Sequence, residues 1–223
     1  VVLDGIELLK TATYTFESFS LEFVSRALLG EGKLVQDVDA RAVEIQHMYA
    51  NDRTKLAAYN LQDCKLVWDI FEKTNLLDFA IERSTLTGLD MDRAGGSVAA
   101  FDFLYLPRLH REGFVAPVAG ESRDGVSPGG FVLESKAGLY EDVVVLDFKS
   151  LYPSIIRTFH VDPLALIVSV EGDIPGFKEA SFSRKRAILP KIIEDLWEAR
   201  DRAKQEGNAV LSQAIKIIMN SFY

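Results

Sequence analysis

The sequence predicts an α+β fold, and three observations support that class. Apolar residues recur at helical spacing in several stretches, most clearly in 53–73 and 190–206. Two stretches in the second half, 131–135 and 142–147, are rich in β-branched and other apolar residues and predict strands. No internal repeat or low-complexity segment is present that would instead favour a solenoid or a disordered chain.

The first half of the chain predicts a strand followed by helices. Residues 1–9 predict a short buried strand. Ser20 suits the N-cap of a helix and Gly30 suits its end, with an apolar stripe between them. A longer helix is predicted over 53–73, where Leu56, Val67 and Phe71 are among the apolar positions.

A further helix is predicted over 91–112, with a kink or a break at Pro107. The stretch 117–130 is rich in Gly, Pro and Ser and predicts a loop or linker. After the two predicted strands, the chain closes with two helices, at about 190–206 and 210–223, separated by Gly207-Asn208.

Composition excludes several classes of protein. With 223 residues, of which 48% are hydrophobic, the chain can bury a sizeable core in one large domain or two small ones. Its one cysteine, Cys64, excludes an internal disulfide and fits a reducing compartment, so we expect a cytoplasmic protein. The apolar runs are far shorter than the roughly 20 residues of a membrane helix. The chain starts without methionine and ends within a helical pattern, so we expect a fragment of a longer protein.

The net charge of −8 argues against a simple nucleic-acid coat, which is usually basic. It does not exclude an enzyme that acts on nucleic acid, because such enzymes concentrate acidic residues where metals bind. The positive charge is uneven and gathers towards the C-terminal end, at Arg184, Lys185, Arg186, Lys191, Arg200, Arg202 and Lys204.

The stretch "VVVLDFKSLYPSII" (143–156) places Asp147 where a buried strand is predicted to end. A carboxylate held there could bind a hard divalent cation, and backbone N–H groups of the following turn could bind an anion. Pro153 suits the first position of a helix and would present Tyr152 beside that turn. The alternative is structural: an Asp at a strand end, a Tyr in the core and a Pro that begins a helix.

The two C-terminal helices combine buried stripes with cationic positions. The stripe of the first helix continues into Arg200 and Lys204, which are spaced i,i+4. On the second, Lys216, Asn220 and Tyr223 lie together beside the apolar stripe. Lys and Arg are the usual phosphate ligands, but the same pattern is produced by two solvated faces of an amphipathic hairpin.

The stretch "YNLQD" places Tyr59 and Asp63 one turn apart on one helix face. Such a pair can orient a water molecule for hydrolysis. It can also be an ordinary surface hydrogen bond, which is the better interpretation of this pair in isolation.

Taken together, these stretches resemble family B DNA polymerases, and in particular their bacterial members. "DFKSLYPSII" resembles the family's polymerase motif A, "KIIMNSFY" its motif B, and "YNLQD" the third motif of its 3′→5′ proofreading exonuclease. The motifs occur in the family's order, and the resemblance covers essentially the whole chain.

For the polymerase site, the resemblance implies two Mg²⁺ ions held in part by Asp147, with the carbonyl of Phe148 as a further ligand. The amides near Ser150 and Leu151 would bind the triphosphate of the incoming dNTP, and Tyr152 would exclude a ribose 2′-hydroxyl. The remaining implied contacts are Arg200, Lys204 and Lys216 to the triphosphate, Asn220 and Tyr223 to the nascent base pair, and Gly129 and Gly130 to the DNA template strand.

For the exonuclease, the resemblance implies Asp63 as a metal ligand and Tyr59 as the group that orients the attacking water. The implied domains are the rear part of a ribonuclease H-like exonuclease domain (1–83), a partial palm with motif A (84–187) and two antiparallel fingers helices with a truncated motif B (188–223). Primer–template DNA and dNTPs are the implied partners; a sliding clamp could bind through regions absent here, and no membrane partner is expected.

Two departures and two absences qualify the resemblance. Ser127 stands where the family's linker motif usually has Tyr, and His160 stands where Asn is common after motif A; we expect His160 to be structural. The chain has no Asp-Thr-Asp stretch for the second polymerase carboxylate and no Asp-x-Glu of the first exonuclease motif. We therefore expect this chain alone to be inactive.

Two alternatives stay open: a non-catalytic DNA- or protein-binding module of the same ancestry, and an unrelated metal-dependent phosphohydrolase.

Overall fold

The structure, a computed structural model, describes residues 1–34, 41–93, 95–118, 133–176 and 179–222. It divides into two compact units. The first comprises Val1–Leu104 and Glu194–Tyr223, and the second comprises Tyr105–Ile193. The described chain is mostly helical and includes a small antiparallel sheet.

Helices make up the regular structure of the first unit. In chain order they are α1 (Gly5–Thr11), α2 (Leu21–Leu29), α3 (Arg41–Asn51), α4 (Arg53–Thr74), α5 (Leu76–Thr87), a 3₁₀ turn (Met91–Arg93), the start of α6 (Ser97–Arg111), most of α9 (Leu189–Gln205) and α10 (Ala209–Asn220).

The core of this unit is formed by apolar side chains from five helices. Leu8 of α1, Val24 of α2, Ile70 of α4, Phe79 of α5 and Ala214 of α10 belong to one buried cluster. In the strongest helix contacts α2 packs on α4 and α10 packs on α5. The 22-residue helix α4 is therefore covered by other helices along part of its length, and this fixes the face that carries Tyr59 and Asp63.

Helices with local start and stop signals lie where the sequence predicts them. α2 is capped by the Ser20 side chain, which accepts a hydrogen bond from the Phe23 N–H, and it ends at Gly30 in a left-handed conformation. α4, α9 and α10 match the predicted helices closely, and Asn208 caps α10 through the Leu211 N–H. The predicted 91–112 helix is a 3₁₀ turn followed by α6, which continues through Pro107 without a break.

The strand predicted at residues 1–9 is wrong, because Gly5–Thr11 forms helix α1. The side chain of Asp4 caps this helix by accepting hydrogen bonds from the N–H groups of Ile6 and Glu7 at 2.8 and 3.1 Å. An Asp followed three residues later by Glu is a helix-start signal, and this signal outweighs the short apolar run that suggested a strand.

The second unit contains the end of α6, helices α7 (Leu151–Phe159) and α8 (Pro163–Ile167), and the first residues of α9. Its sheet pairs β1 (Ile174–Pro175) with β2 (Ser181–Phe182).

The strands predicted at 131–135 and 142–147 are not formed in the described residues 133–135 and 142–147; residues 131–132 lie outside the description. The side chains of Val143–Leu146 are 67–89% exposed. A strand is stable only when its backbone pairs with a neighbouring strand, and the described residues supply none beside this segment.

A buried carboxylate, Asp162, joins three stretches of the second unit. Its Oδ1 accepts hydrogen bonds from the Tyr105 hydroxyl (3.2 Å) and the Ala165 N–H (2.8 Å), and its Oδ2 accepts from the N–H groups of Ile188 (3.1 Å) and Leu189 (2.7 Å). Burial, reinforced by the Asp162 charge, raises the pKa of the Tyr105 phenol, which therefore stays a proton donor. Asp162 thus holds the end of α6 and the starts of α8 and α9 together.

We predict that Asp162→Ala in the full-length protein loosens both helix starts. Leaving N–H groups without a buried charged acceptor costs roughly 3 kcal/mol, so amide hydrogen exchange at Ala165, Ile188 and Leu189 should accelerate by about 10²-fold. Hydrogen–deuterium exchange measures this effect. The matched control is Asp173→Ala, which removes a half-buried carboxylate that accepts from the Val170 and Arg184 N–H groups. It should leave the amides of Ala165, Ile188 and Leu189 protected. Equal protection in Asp162→Ala and wild type would contradict the assigned role.

Candidate functional site

The segment that carries Asp147 is exposed and irregular. Residues 143–148 belong to no helix or strand, and the Asp147 side chain is exposed rather than at the tip of a buried strand. The prediction of a buried strand end is therefore wrong for this chain. Phe148 follows with 74% of its surface exposed, so its carbonyl and the Asp147 carboxylate lie on a solvent-facing stretch.

Helix α7 begins immediately after this segment. Ser150 adopts a left-handed conformation (φ 54°, ψ 64°), and its side chain makes no capping hydrogen bond to α7. The N–H groups in the first turn of a helix have no partner within the helix, and the helix dipole adds partial positive charge there. Leu151 and Tyr152 lie in this turn with 41% and 49% of their surfaces exposed. The start of α7 thus carries the partial positive charge that suits an anion.

Pro153 is the third residue of α7 rather than its first, and its ring is buried. Proline removes no intrahelical hydrogen bond there, because an N–H group in the first turn has no acceptor within the helix. At the other end of α7, His160 is left-handed (φ 52°), and its Nδ1 lies 3.1 Å from the Ser183 carbonyl. His160 therefore has the structural contact that the sequence led us to expect.

The predicted cationic residues of α9 and α10 lie in the first unit. Arg200 is partly buried, and its Nε has no hydrogen-bond partner in the part of the chain that the structure describes. Lys204 Nζ lies 3.8 Å from Asp201 Oδ1 in an exposed pair. Lys216 and Asn220 are both exposed, one turn apart on α10. Tyr223, Gly129 and Gly130 lie outside the described residues.

Tyr59 and Asp63 lie one turn apart on α4, as predicted, but neither is a simple surface residue. Tyr59 is 8% exposed and packs against Met48 of α3. Asp63 Oδ2 accepts a hydrogen bond from Lys33 Nζ at 2.8 Å, and that ammonium lies 5.8 Å from the centroid of the Tyr59 ring. Asp63 Oδ1 is buried without a hydrogen-bond partner among the described residues.

The donor set can be tested against a divalent cation. Mg²⁺ prefers oxygen ligands, and a buried carboxylate oxygen without a hydrogen-bond donor, such as Asp63 Oδ1, has the chemistry of such a ligand. The exposed Asp147 carboxylate is also accessible to an ion. No group of three or more His, Cys, Asp or Glu side chains is placed to hold a metal within the described ranges. Asp63 and Asp147 therefore each offer one ligand rather than a complete metal site among the described residues.

Reasoning from the sequence missed Lys33 and Asp162. Lys33 follows the end of α2 and pairs with a residue 30 positions later. Asp162 belongs to none of the three motifs. An Asp before Pro163 is nevertheless a helix-start signal, and it marks Asp162 as a helix cap. The long-range contacts of Lys33 and Asp162, in contrast, cannot be read from the spacing of neighbouring residues.

Comparison with known proteins decides the family. The sequence profile described as DNA polymerase family B matches residues 94–223, which include the motif A and motif B stretches. The chain belongs to DNA polymerase family B. The resemblance stated from the motifs is thereby confirmed.

Three relatives indicate the breadth of this similarity. The chain is 53% identical to DNA polymerase II of Escherichia coli (strain K12), over 100% of this chain and 29% of that protein. It is 31% identical to the DNA polymerase delta catalytic subunit of Glycine max, over 94% of this chain and 22% of the relative. It is 27% identical to a DNA polymerase of Thermococcus gorgonarius, over 95% of this chain and 30% of the relative. The chain thus spans less than a third of the length of these proteins.

None of the helices described is both long and apolar enough to cross a membrane.

Proposed function

We propose that this chain is part of a longer DNA-directed DNA polymerase that also carries a 3′→5′ proofreading exonuclease. The observation that carries the proposal is the family match over residues 94–223, which includes Asp147 in motif A and Lys216 in motif B. The reaction would be attack of a primer 3′-hydroxyl on the α-phosphate of a dNTP, on a DNA template, in replication or repair.

In this proposal Asp147 and the carbonyl of Phe148 bind Mg²⁺. When bound, the ions stabilise the charge on the reacting phosphates. The amides near Ser150 and Leu151 bind the triphosphate, which is supported by the start of α7, where the Ser150 side chain does not cap the helix. Tyr152, half-exposed in the same turn, contacts the sugar.

Further contacts are assigned to the two C-terminal helices. Arg200, Lys204 and Lys216 bind the triphosphate. The Nε of Arg200 has no hydrogen-bond partner among the described residues, which supports its part in this role because a buried donor without an acceptor is costly. Asn220 and Tyr223 line the base-pair pocket, and Gly129 and Gly130 allow close approach of the template strand.

The exonuclease would use Asp63 as a metal ligand and Tyr59 to orient the attacking water. The predicted domains, with the ribonuclease H-like part over 1–83, the palm over 84–187 and the fingers over 188–223, belong to the same proposal. We expect the 223-residue chain alone to be inactive in both reactions. Two metal ions roughly 3.5–4 Å apart need several carboxylates, and each proposed site here has one.

The proposed function is tested by primer extension with the full-length protein. Asp147→Asn should abolish incorporation, because the amide keeps the shape of the carboxylate but loses the charge that binds Mg²⁺. The control is Asp142→Asn, which removes a second exposed carboxylate five residues earlier, at a left-handed position that Asn tolerates (φ 55°). Full activity in Asp147→Asn would contradict the role of Asp147, whereas a full-length wild-type protein that binds DNA without extending the primer would support the non-catalytic binding module.

We predict that Tyr152→Val relaxes sugar selection more than it reduces the use of dNTPs. Ribose differs from deoxyribose by one hydroxyl, and a rigid ring that occupies the space of this hydroxyl rejects it by steric clash. The quantity to measure is the ratio of kcat/KM for a dNTP to that for the matching rNTP, in the full-length protein. The ratio should fall mainly through a rise in the rNTP value.

The control for Tyr152→Val is Phe159→Val, which truncates another exposed aromatic ring at the far end of the same helix. It should leave the ratio unchanged. A wild-type ratio in Tyr152→Val, with incorporation of dNTPs intact, would show that Tyr152 does not contact the sugar.

A further inference from the structure

Three consecutive cations, Arg184, Lys185 and Arg186, follow strand β2 in a chain that is acidic as a whole. Between residues 105 and 193, the range of the second unit, Lys and Arg are as numerous as Asp and Glu. The net charge of −8 therefore comes from the remaining residues. A local group of cations on the second unit is not outweighed by an acidic excess of the same unit.

The backbone of this stretch is held from two sides. Ser183, which is 5% exposed, accepts hydrogen bonds through Oγ from the N–H groups of Lys185 and Arg186, both at 3.3 Å. The Arg184 N–H donates to Asp173 Oδ1 at 3.2 Å. The cations therefore project from a fixed turn, and a fixed turn loses less conformational entropy when it binds an anion.

Arg186 is used within the protein, whereas its two neighbours are not. Arg186 Nη2 donates to the carbonyl and to Oε2 of Glu112, each at 3.0 Å, and its Cζ lies 5.0 Å from the centroid of the Phe114 ring. Arg184 and Lys185 are exposed, and neither forms an ion pair with the residues that the structure describes. Two charged side chains on a fixed turn can thus meet an anion from outside.

Asp173 is the carboxylate that these two cations influence. Hydrogen bonds from the N–H groups of Val170 and Arg184 lower its pKa, and the charges of Arg184 and Lys185 lower it further. In the described part of the chain, however, no ion pair joins Asp173 to either side chain. Direct contact with an acid therefore does not occupy the two cations.

The two cations follow a residue that contacts the end of α7 opposite to the proposed triphosphate site. His160, the C-cap of α7, has its Nδ1 3.1 Å from the Ser183 carbonyl. The triphosphate is proposed to bind near Ser150, at the start of this helix, and a nine-residue helix is about 13 Å long. A DNA strand rises about 3.4 Å per nucleotide, so this length corresponds to roughly four nucleotides. A polyanion that reaches both ends of α7 is a nucleic-acid backbone.

We infer that Arg184 and Lys185 (the basic patch) bind the phosphate backbone of the primer–template DNA, about three to five nucleotides from the primer terminus. This inference rests on the proposed polymerase function and concerns two residues that lie outside its motifs. Arginine and lysine are the usual phosphate ligands, and contacts to phosphate carry no information about the bases. The contact should therefore hold the DNA irrespective of its sequence.

The first experiment measures binding of a fluorescent primer–template to the full-length protein by anisotropy, without divalent metal and over a range of KCl concentrations. Each neutralised phosphate contributes about 0.9 to the slope of log K against log salt. Replacing both cations (Arg184→Met with Lys185→Met) should therefore reduce the magnitude of the slope by about 1.8 and weaken binding on the order of tenfold at physiological salt. The rate of dNTP incorporation at saturating DNA should not change, because the patch is distant from the reacting phosphates.

Two further variants are the controls. Lys65→Met with Lys73→Met removes the same charge from two exposed lysines of α4, neither of which has an ion pair among the described residues, and should leave the slope unchanged. Arg184→Lys keeps the charge and should retain the wild-type slope.

The second experiment finds the phosphate that the basic patch contacts. Methylphosphonate linkages, which replace a charged phosphate oxygen with a neutral methyl group, are placed one at a time along both strands. In the wild type, the linkage at the contacted phosphate should weaken binding. In the double methionine variant the same linkage should have almost no further effect, because the side chains that paired with that phosphate are already absent.

The outcomes separate the inference from the function on which it rests. An unchanged salt slope, or methylphosphonate effects that are the same in wild type and variant at every position, would overturn the basic patch and leave the polymerase assignment intact. Coupling confined to the phosphates next to the primer terminus, or a raised KM for the dNTP, would assign Arg184 and Lys185 to the triphosphate site and would also overturn the inference. If the wild-type protein neither binds nor extends a primer–template, the proposed function fails and the inference fails with it.

Discussion

The Asp162 carboxylate, which is 2% exposed, is the contact on which the second unit depends. Four donors meet it, and they come from the end of α6, the start of α8 and the start of α9. The helix that begins with Leu151 and Tyr152, α7, has its C-cap at His160, two residues before this carboxylate. One buried carboxylate, satisfied on both oxygens, therefore holds the end of α6 and the starts of α8 and α9 together.

The two proposed metal ligands lie in contrasting surroundings. Asp63 is on a long helix that is packed along one part of its surface, its side chain is 24% exposed, and Lys33 compensates its charge. Asp147 is on an exposed segment whose valine side chains face solvent. A carboxylate on a packed helix is already oriented for a ligand, whereas one on an unpaired segment gains orientation only when a neighbouring strand pairs with that segment. This difference follows from the local packing and not from the motifs, which predict both residues equally.

Local signals explain how much of this could be predicted. The bounds of α2 and α10 follow from Ser20, Gly30 and Asn208, since caps and left-handed stops act within a few residues. The i,i+4 spacing of Tyr59 and Asp63 likewise predicts one shared helix face, because helical periodicity is local. The strand predicted at 142–147 is wrong because pairing requires a distant partner. The strand predicted at 1–9 is wrong because Asp4 and Glu7 begin helix α1 within the same apolar run. Lys33 and Asp162 act through contacts 26 to 57 residues away, which spacing does not reveal.

The central claim is that the residues from Asp147 to Tyr152 bind the metal-bound nucleotide of a DNA polymerase. The most direct measurement is a structure of the full-length protein with primer–template DNA, Mg²⁺ and the matching dNTP. The account predicts a metal ion on the Asp147 carboxylate, the triphosphate at the start of α7 and the sugar against the Tyr152 ring. A triphosphate bound by other residues, with Asp147 still facing solvent and the primer terminus in place, would contradict it.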